Sequence, residues 1–441
     1  MLINKGSNLG FHDESYHIRR LGNLIIALAA FILLEGVLRK WLLNPIEKPL
    51  IFIREPILFA IYYFYAKDFG IKKTWFFPYI LFSAIIIFLA LTQAIYWNLE
   101  LLIPFIGIRF YILYIPLAFI MGEVLTEIQL VRLIKFLLCS SIPIGILVIL
   151  QFILPVEHYL NKGLSDDVEG RFIVVEGIVR PYGPFTFTSA QSHWSPMLLA
   201  LIIIGWENRN RFMISKKLLA FSSIFTLIMG AMSGSRTYFG FAILVLFFYI
   251  LAGFTSSKIV IGFKRLLYAL IFLISFLLVF IFAFPKAYES MSQRQEDAVS
   301  SEGSTLDRVI NSFTEAAQPF NTAPPFGYGI GSGSNASRIF RNGDTSFILG
   351  ENEWIRMINE LGPIFGYPVL LFRILLVLWL FYLALKVNRK TSNGSALILF
   401  GFVGYCLLAS TITIQNQLLA ICWFAVGLLL AFIRVFGERI K

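Results

Sequence analysis

Three short stretches bring charge, hydroxyl and glycine together. Arg180-Pro181-Tyr182-Gly183-Pro184-Phe185 sets an arginine ahead of an apolar run. Ser233-Gly234-Ser235-Arg236-Thr237 places Arg236 beside Ser235 and a glycine. A guanidinium flanked by backbone N–H groups makes a good diphosphate clamp, because its planar fork matches paired oxygens and stays charged. The same five residues also make an ordinary solvated turn. The third stretch runs from Phe326-Gly327-Tyr328-Gly329-Ile330-Gly331 to Gly350-Glu351-Asn352-Glu353-Trp354 and Asn359-Glu360-Leu361-Gly362. Glu351 and Glu353 are carboxylates able to accept a proton from a hydroxyl. Glu353, Arg356 and Glu360 have i,i+3 and i,i+4 spacing, so they share a helix face, and a purely structural salt-bridged face is the competing reading. The glycines are not a P-loop, since no Gly-Lys-Ser/Thr follows, and nucleotide binding is a poor reading.

The elements that must position these groups are apolar. The 441 residues are 58% hydrophobic, 16% aromatic and only 14% charged. Soluble domains carry roughly 25% charged residues, and no soluble core of this length could hide so much apolar surface. The net charge of +11 is explained by Lys and Arg in cytoplasmic loops rather than by nucleic acid. Cys139, Cys406 and Cys422 lie in apolar segments, and the histidines (His12, His17, His158, His193) form no ligand pattern, so neither a disulfide framework nor a metal site is expected. The first 20 residues are polar and the apolar run after them lacks a small-residue cleavage site, which points to a first spanning helix rather than a cleavable signal.

A span needs about 20 mostly apolar residues. Candidate spans fall at 21–38, 50–66, 75–97, 101–121, 132–154, 191–206, 217–233, 237–253, 265–284, 363–385, 395–412 and 418–435. About twelve transmembrane helices in one polytopic membrane domain, 1–441, are therefore expected. Lys67, Lys72 and Lys73, then Arg132 and Lys135, Arg209 to Lys217, Lys258 to Arg265, and Lys386 to Lys390 alternate along the chain onto one side. Both termini fall on that side too, and the positive-inside rule makes it the cytoplasm. Arg39, Lys40 and Lys48 are the exception. Two outer segments are long. One is 155–190; the other, 285–352, is Gly/Ser-rich with five Lys/Arg against eight Asp/Glu. Within it Ser304 to Asp307 can cap a helix carrying Leu306, Val309, Ile310 and Phe313, and Pro324 to Ser334 must be loop.

Polar and ionisable groups at membrane depth are costly and usually functional. Glu35, Arg54, Glu55, Arg109 and Gln151 all map to the outer halves of their helices, with Arg373 near mid-depth, so a site open to the outside is expected. Glu35 and Arg39 could simply pair at i,i+4, and Arg54 could reach up to the interface. Arg109 is too deep for that and suits an anionic site. Arg373 suits either the site or a helix–helix hydrogen bond.

Taken together, these features resemble the O-antigen polymerase and O-antigen ligase superfamily of bacterial envelope glycosyltransferases. The likeness rests on topology, on Arg180 before the sixth span, on Ser235-Arg236, on the Gly-x-Gly-x-Gly loop and on Glu360-Leu361-Gly362. It implies a GT-C type glycosyltransferase fold with its long periplasmic loop between helices 9 and 10. It also implies a bacterial inner-membrane enzyme without metal or other cofactor. The donor and acceptor would be glycans on undecaprenyl diphosphate, with chain-length regulator and flippase proteins as partners. Arg180 and Arg236, with Arg109, would hold the diphosphate. Glu351 or Glu353 would deprotonate the acceptor, supported by Ser235, Asn352, Arg356, Glu360 and Arg373. Ligases of that family carry a His where the long loop re-enters helix ten; here that position is Glu351, and 285–352 contains no His. The departure favours a polymerase of O-antigen or exopolysaccharide repeat units over a ligase. A lipid-linked glycan flippase or other transporter is the competing class, and a non-catalytic envelope assembly protein a third. No internal symmetry of the transporter kind is visible.

Overall fold

A chain segment in lipid must satisfy every backbone N–H and C=O internally, so long apolar runs are stable there only as helices or closed barrels. In the computed structural model all regular elements among the described residues are helical. The structure describes residues 11–164, 179–256, 259–283, 314–334 and 352–437, with isolated positions between 285 and 289. The capped helix expected after Ser304 lies outside the described residues. The helices are α1 (Phe11–Val37), α2 (Glu55–Phe69), α3 (Lys73–Tyr96), α4 (Leu102–Ile108), α5 (Ile115–Val124), α6 (Glu127–Ile153), α7 (Thr188–Glu207) and α8 (Arg209–Phe212). They continue with α9 (Lys216–Met232), α10 (Arg236–Phe254), α11 (Val260–Ala283), α12 (Glu353–Thr391), α13 (Ser395–Ala409) and α14 (Asn416–Gly437).

Among the described residues, 9 helical stretches are long and apolar enough to cross a membrane, α4 and α5 forming one of them. The remaining expected spans are also helices, but α7 opens on the polar turns Thr188 to His193, α9 has 17 residues and α13 has 15. At 1.5 Å per residue α13 is about 22 Å long, short of a hydrocarbon core of about 30 Å. α14 is the most enclosed, with 83% of its span buried. It packs along α5, where Gly122 faces Leu430 and Gly427 faces Met121 and Ala118, small residues that let two backbones approach.

The bundle has two unlike ends. At the lower end, where α1 begins, most of the paired charges lie at the bundle edge, Arg20 and His17 on Asp68, Lys72 on Glu123 (2.8 Å) and Arg211 on Glu127 (2.6 Å), while Arg265 is buried against Glu207 (2.6 Å). At the upper end, where α1 finishes, the charges are buried in the bundle: Glu35, Arg39, Lys40, Arg54, Glu55, Arg109, Glu353, Arg356, Glu360 and Arg373.

The entry into α12 turns back on itself. A straight helix would hold Glu353 and Arg373 about 30 Å apart, yet they form an ion pair of 2.9 Å. The break is Gly362, at φ +76° and ψ 158°, a conformation that L side chains rarely adopt. It divides a first arm, 353–361, from the apolar span that follows, and Ile358 lies back against Gly366. Pro363 next to the glycine removes one more helical N–H. A Cβ on Gly362 would also stand 2.2 Å from the Pro325 carbonyl oxygen. Gly362→Ala should therefore lower stability by about 1–3 kcal/mol, seen as a lower apparent melting temperature of the purified protein. An unchanged melting temperature would remove Gly362 as the hinge of this fold-back.

Candidate functional site

The arm 353–361 carries three of the candidate residues on one face, and the face is buried. Glu353 accepts from Arg356 Nη2 (2.5 Å), Arg373 Nη1 (2.9 Å), and the Thr413 backbone N–H (3.3 Å) and hydroxyl (3.1 Å). Arg356 also donates to the Thr413 hydroxyl and lies 3.6 Å from Glu360. Glu360 accepts from the Tyr111 hydroxyl (2.9 Å) and the Gly333 N–H (2.9 Å). Arg373 donates twice to the Leu407 carbonyl, at 2.9 and 2.5 Å. Two carboxylates and two guanidiniums thus balance in a site screened from solvent, where an isolated charge would be untenable. Asn352 caps the arm by accepting from the Trp354 N–H (2.9 Å), the usual role of Asn at a helix start.

The glycine loop is the lid of this cluster. Gly327, Gly329 and Gly331 all have positive φ (75°, 124° and 86°). A Cβ on Gly331 would stand 2.5 Å from the Ile103 carbonyl, and one on Gly107 2.5 Å from Gly331 N. The loop is therefore wedged between α4 and the arm as bare backbone. Gln93 at the end of α3 pins it, accepting from the Ile330 N–H (2.8 Å) and donating to the Phe326 and Glu360 carbonyls.

The turn between α13 and α14 is the floor, and sequence reasoning passed over it. Ser410 meets His193 Nε2 (2.8 Å), Thr413 meets Glu353 and Arg356, and Gln415 accepts from Ser189. Asn416 takes Arg54 on its carbonyl (3.1 Å) and donates to the Ile51 carbonyl (3.0 Å), while Gln417 accepts from the Thr186 N–H and hydroxyl. The signal was present: six uncharged polar residues among the eight from Ser410 to Gln417, between two apolar spans.

Arg180 and the Ser-Arg turn come together. Arg180 is half-buried and its Nε donates to the Ser233 carbonyl (3.0 Å). Lys40 donates to the Gly183 and Phe185 carbonyls (2.9 and 2.7 Å), and Gln151 accepts from the Gly183 N–H (2.8 Å). The segment bearing Arg180 is thereby clamped to α1 and α6. Ser235 is buried, its N–H on the Ser233 hydroxyl (3.2 Å). Arg236, by contrast, is exposed at the first turn of α10, and its side chain has no partner among the described residues. Gly234 beside it has φ +53° and open space where a Cβ would lie.

The remaining expected charges form a second buried group. Glu35 pairs with Arg39 (3.2 Å) as its i,i+4 spacing allows, and also with Arg54 (2.8 Å). Arg54 is fully buried and does not extend to the interface. Arg109 donates to Glu55 (2.5 Å) and to the Ile51 carbonyl (2.9 Å), away from Arg180 and the 233–236 turn in its contacts. It sits in a π-helical turn, Arg109–Leu113, a distortion often found at functional positions. Arg39 and Lys40, two of the three exceptions to the basic-side pattern, are internal ligands of carboxylate and carbonyl rather than loop charges. Glu351 lies outside the described residues.

No family model matches this chain, and no curated protein matches it.

Removing the charge of Glu353 would leave Arg356 and Arg373 buried with too little counter-charge. Glu353→Gln is expected to cost about 3–5 kcal/mol, and adding Arg373→Met should recover part of that loss, with a coupling of about 1 kcal/mol or more. Strictly additive losses in denaturation of the purified variants would show that the two do not interact.

Proposed function

We propose that this chain is a polytopic glycosyltransferase of the bacterial inner membrane, with about twelve spans and a GT-C type arrangement. Its termini are cytoplasmic and its upper end faces the periplasm. It polymerises oligosaccharide repeat units carried on undecaprenyl diphosphate. The observation that carries this reading is the contrast among the upper-end arginines. Arg39, Arg54, Arg109, Arg356 and Arg373 are all buried against carboxylates, whereas Arg236 is exposed with no partner among the described residues. It stands at the positive end of the 19-residue α10, on a turn gripped by Arg180. A helix start with free N–H groups and a guanidinium is built to receive an anion.

In this mechanism Arg236, with Arg180, receives the diphosphate of the donor. The acceptor hydroxyl oxygen attacks the anomeric carbon, the bond from that carbon to the diphosphate oxygen breaks, and the configuration inverts. The diphosphate leaves with the bonding electrons, stabilised by the arginines. Glu351 takes the hydroxyl proton. Glu353 is saturated by four donors and holds the arm in place. Arg109 is balanced by Glu55 and is left out of the clamp.

Cells lacking the chain should accumulate single repeat units on the carrier at the outer face of the membrane. Full-length chains left on the carrier would indicate a ligase, and single units held at the cytoplasmic face a flippase. In complemented cells, Arg236→Ala should reduce polymer by about 10²–10³-fold at unchanged membrane abundance; full polymer in that variant would dismiss the clamp.

A further inference from the structure

The lower end holds a cavity of about 400 Å³ that glycosyl transfer does not use. It lies among α7, α9, α10 and α11, where α7 packs on α9 and α10, and α10 on α11. Ile202, Leu227, Leu246 and Phe272 are among its walls, which are mostly apolar. Such a space does not hold water, and left empty it costs its lining the dispersion contacts of a filled one. Trp206 and Tyr268 line it and are exposed. Ile224 and Ile271, next in sequence to the lining residues Ser223 and Phe272, are exposed too. The cavity therefore opens on the outside of the bundle, where apolar helices face hydrocarbon. Trp206, Tyr249 and Tyr268 at its lower rim are amphipathic rings of the kind that gather at the head-group level.

Charge is arranged beneath that rim. Lys264 is one helical turn below Tyr268, and Lys216 two turns below Ser223, each on the helix face of the lining residue above it. Both are exposed, as is Lys217. Lys216 and Lys217 open α9, and neither α9 nor α11 has an acidic residue in its first turn. Cations at the positive end of a helix are unfavourable unless an anion joins them. Glu207, the carboxylate among the lining residues, is already held by Arg265 (2.6 Å). The positive-inside rule accounts for lysines on this side of a membrane, but not for their standing under an apolar opening.

We propose that this cavity takes one acyl chain of an anionic phospholipid of the inner leaflet, whose phosphate lies outside it against Lys216, Lys217 and Lys264. The apolar walls select a hydrocarbon chain, and the basic rim selects the head group. Basic rims between spans on the cytoplasmic side suit head groups of net negative charge. A zwitterionic head group brings an ammonium that the three lysines repel, and the carboxylate at the rim is taken by Arg265. The inference needs a membrane location with the lower end at the inner leaflet, and not the glycosyl-transfer reading.

The test is native mass spectrometry of the full-length purified protein titrated with phosphatidylglycerol or phosphatidylethanolamine. Phosphatidylglycerol should be retained about tenfold more strongly, as expected for two or three lysines near one phosphate. Changing all three exposed lysines, Lys216→Gln, Lys217→Gln and Lys264→Gln, should bring the two lipids to equal retention. Leu227→Trp, which fills the cavity from its wall, should weaken retention of phosphatidylglycerol about tenfold with the lysines still in place. Equal retention of the two lipids by the native protein would overturn the proposal. So would a preference that survives the three lysine changes, or retention that Leu227→Trp leaves unchanged. Displacement of bound phosphatidylglycerol by a polyprenyl phosphate at equal concentration would give the cavity to a different lipid and overturn it as well. Each readout is lipid retention, so the result stands apart from polymer formation.

Discussion

A carboxylate inside a helical bundle must be surrounded by donors, and the upper end of this protein is organised around that requirement at Glu353. Its oxygens take two guanidiniums from the folded-back halves of α12 and two groups from Thr413 on the turn before α14. Those donors come from opposite sides of the Gly362 break and from a segment 60 residues further on. The ion pair in isolation adds little net stability, because desolvation offsets most of its attraction. What it does is make one arrangement of the arm, the span and the turn far better than any other, since each alternative strands a charge.

The lengths of the helices make room for that arrangement. α13 has 15 residues and ends in the polar turn, so the turn can lie within the bundle instead of above it. The arm 353–361 then occupies the level that a longer α13 would have filled, and the glycine loop closes over it as backbone, its carbonyls and N–H groups met by Gln93, Trp97 and Glu360. Irregular backbone at membrane depth survives where protein groups satisfy it. The second buried group, from Arg39 through Glu35 and Arg54 to Asn416, reaches the same turn. One short connection thus ties both charge clusters and the start of α7 into a single rigid floor.

The exposed arginine stands apart from this floor, on the turn held by Arg180. A site that must receive a large charged group benefits from donors already aimed and already desolvated of competing partners. The Ser-Arg turn meets that description in part: Ser233 and Ser235 are buried and hydrogen-bonded, and Arg180 is fastened to the turn, while Arg236 itself stays available. At the lower end four cations pair with Asp68, Glu123, Glu127 and Glu207, while others, Lys216 and Lys217 at the start of α9 among them, are exposed.

The sequence by itself determined the helical class, the positions of the apolar runs and the concentration of buried charge at one end. These are local or compositional properties, set by the length of an apolar stretch and by which half of it carries a charge. It also marked Arg180, Arg236, Glu353, Arg356 and Glu360, because charges beside glycine and hydroxyls stand out against an apolar background. The identity of the partners was decided by tertiary structure alone. The i,i+3 and i,i+4 spacing of Glu353, Arg356 and Glu360 allowed an exposed salt-bridged face and a buried one equally; Thr413, Tyr111 and Arg373, all distant in sequence, made it buried. Likewise Lys40 read as a misplaced loop charge until the Gly183 and Phe185 carbonyls stood against it. The energy of a buried charge depends on every group within a few ångströms of it, and only the folded chain brings those groups together.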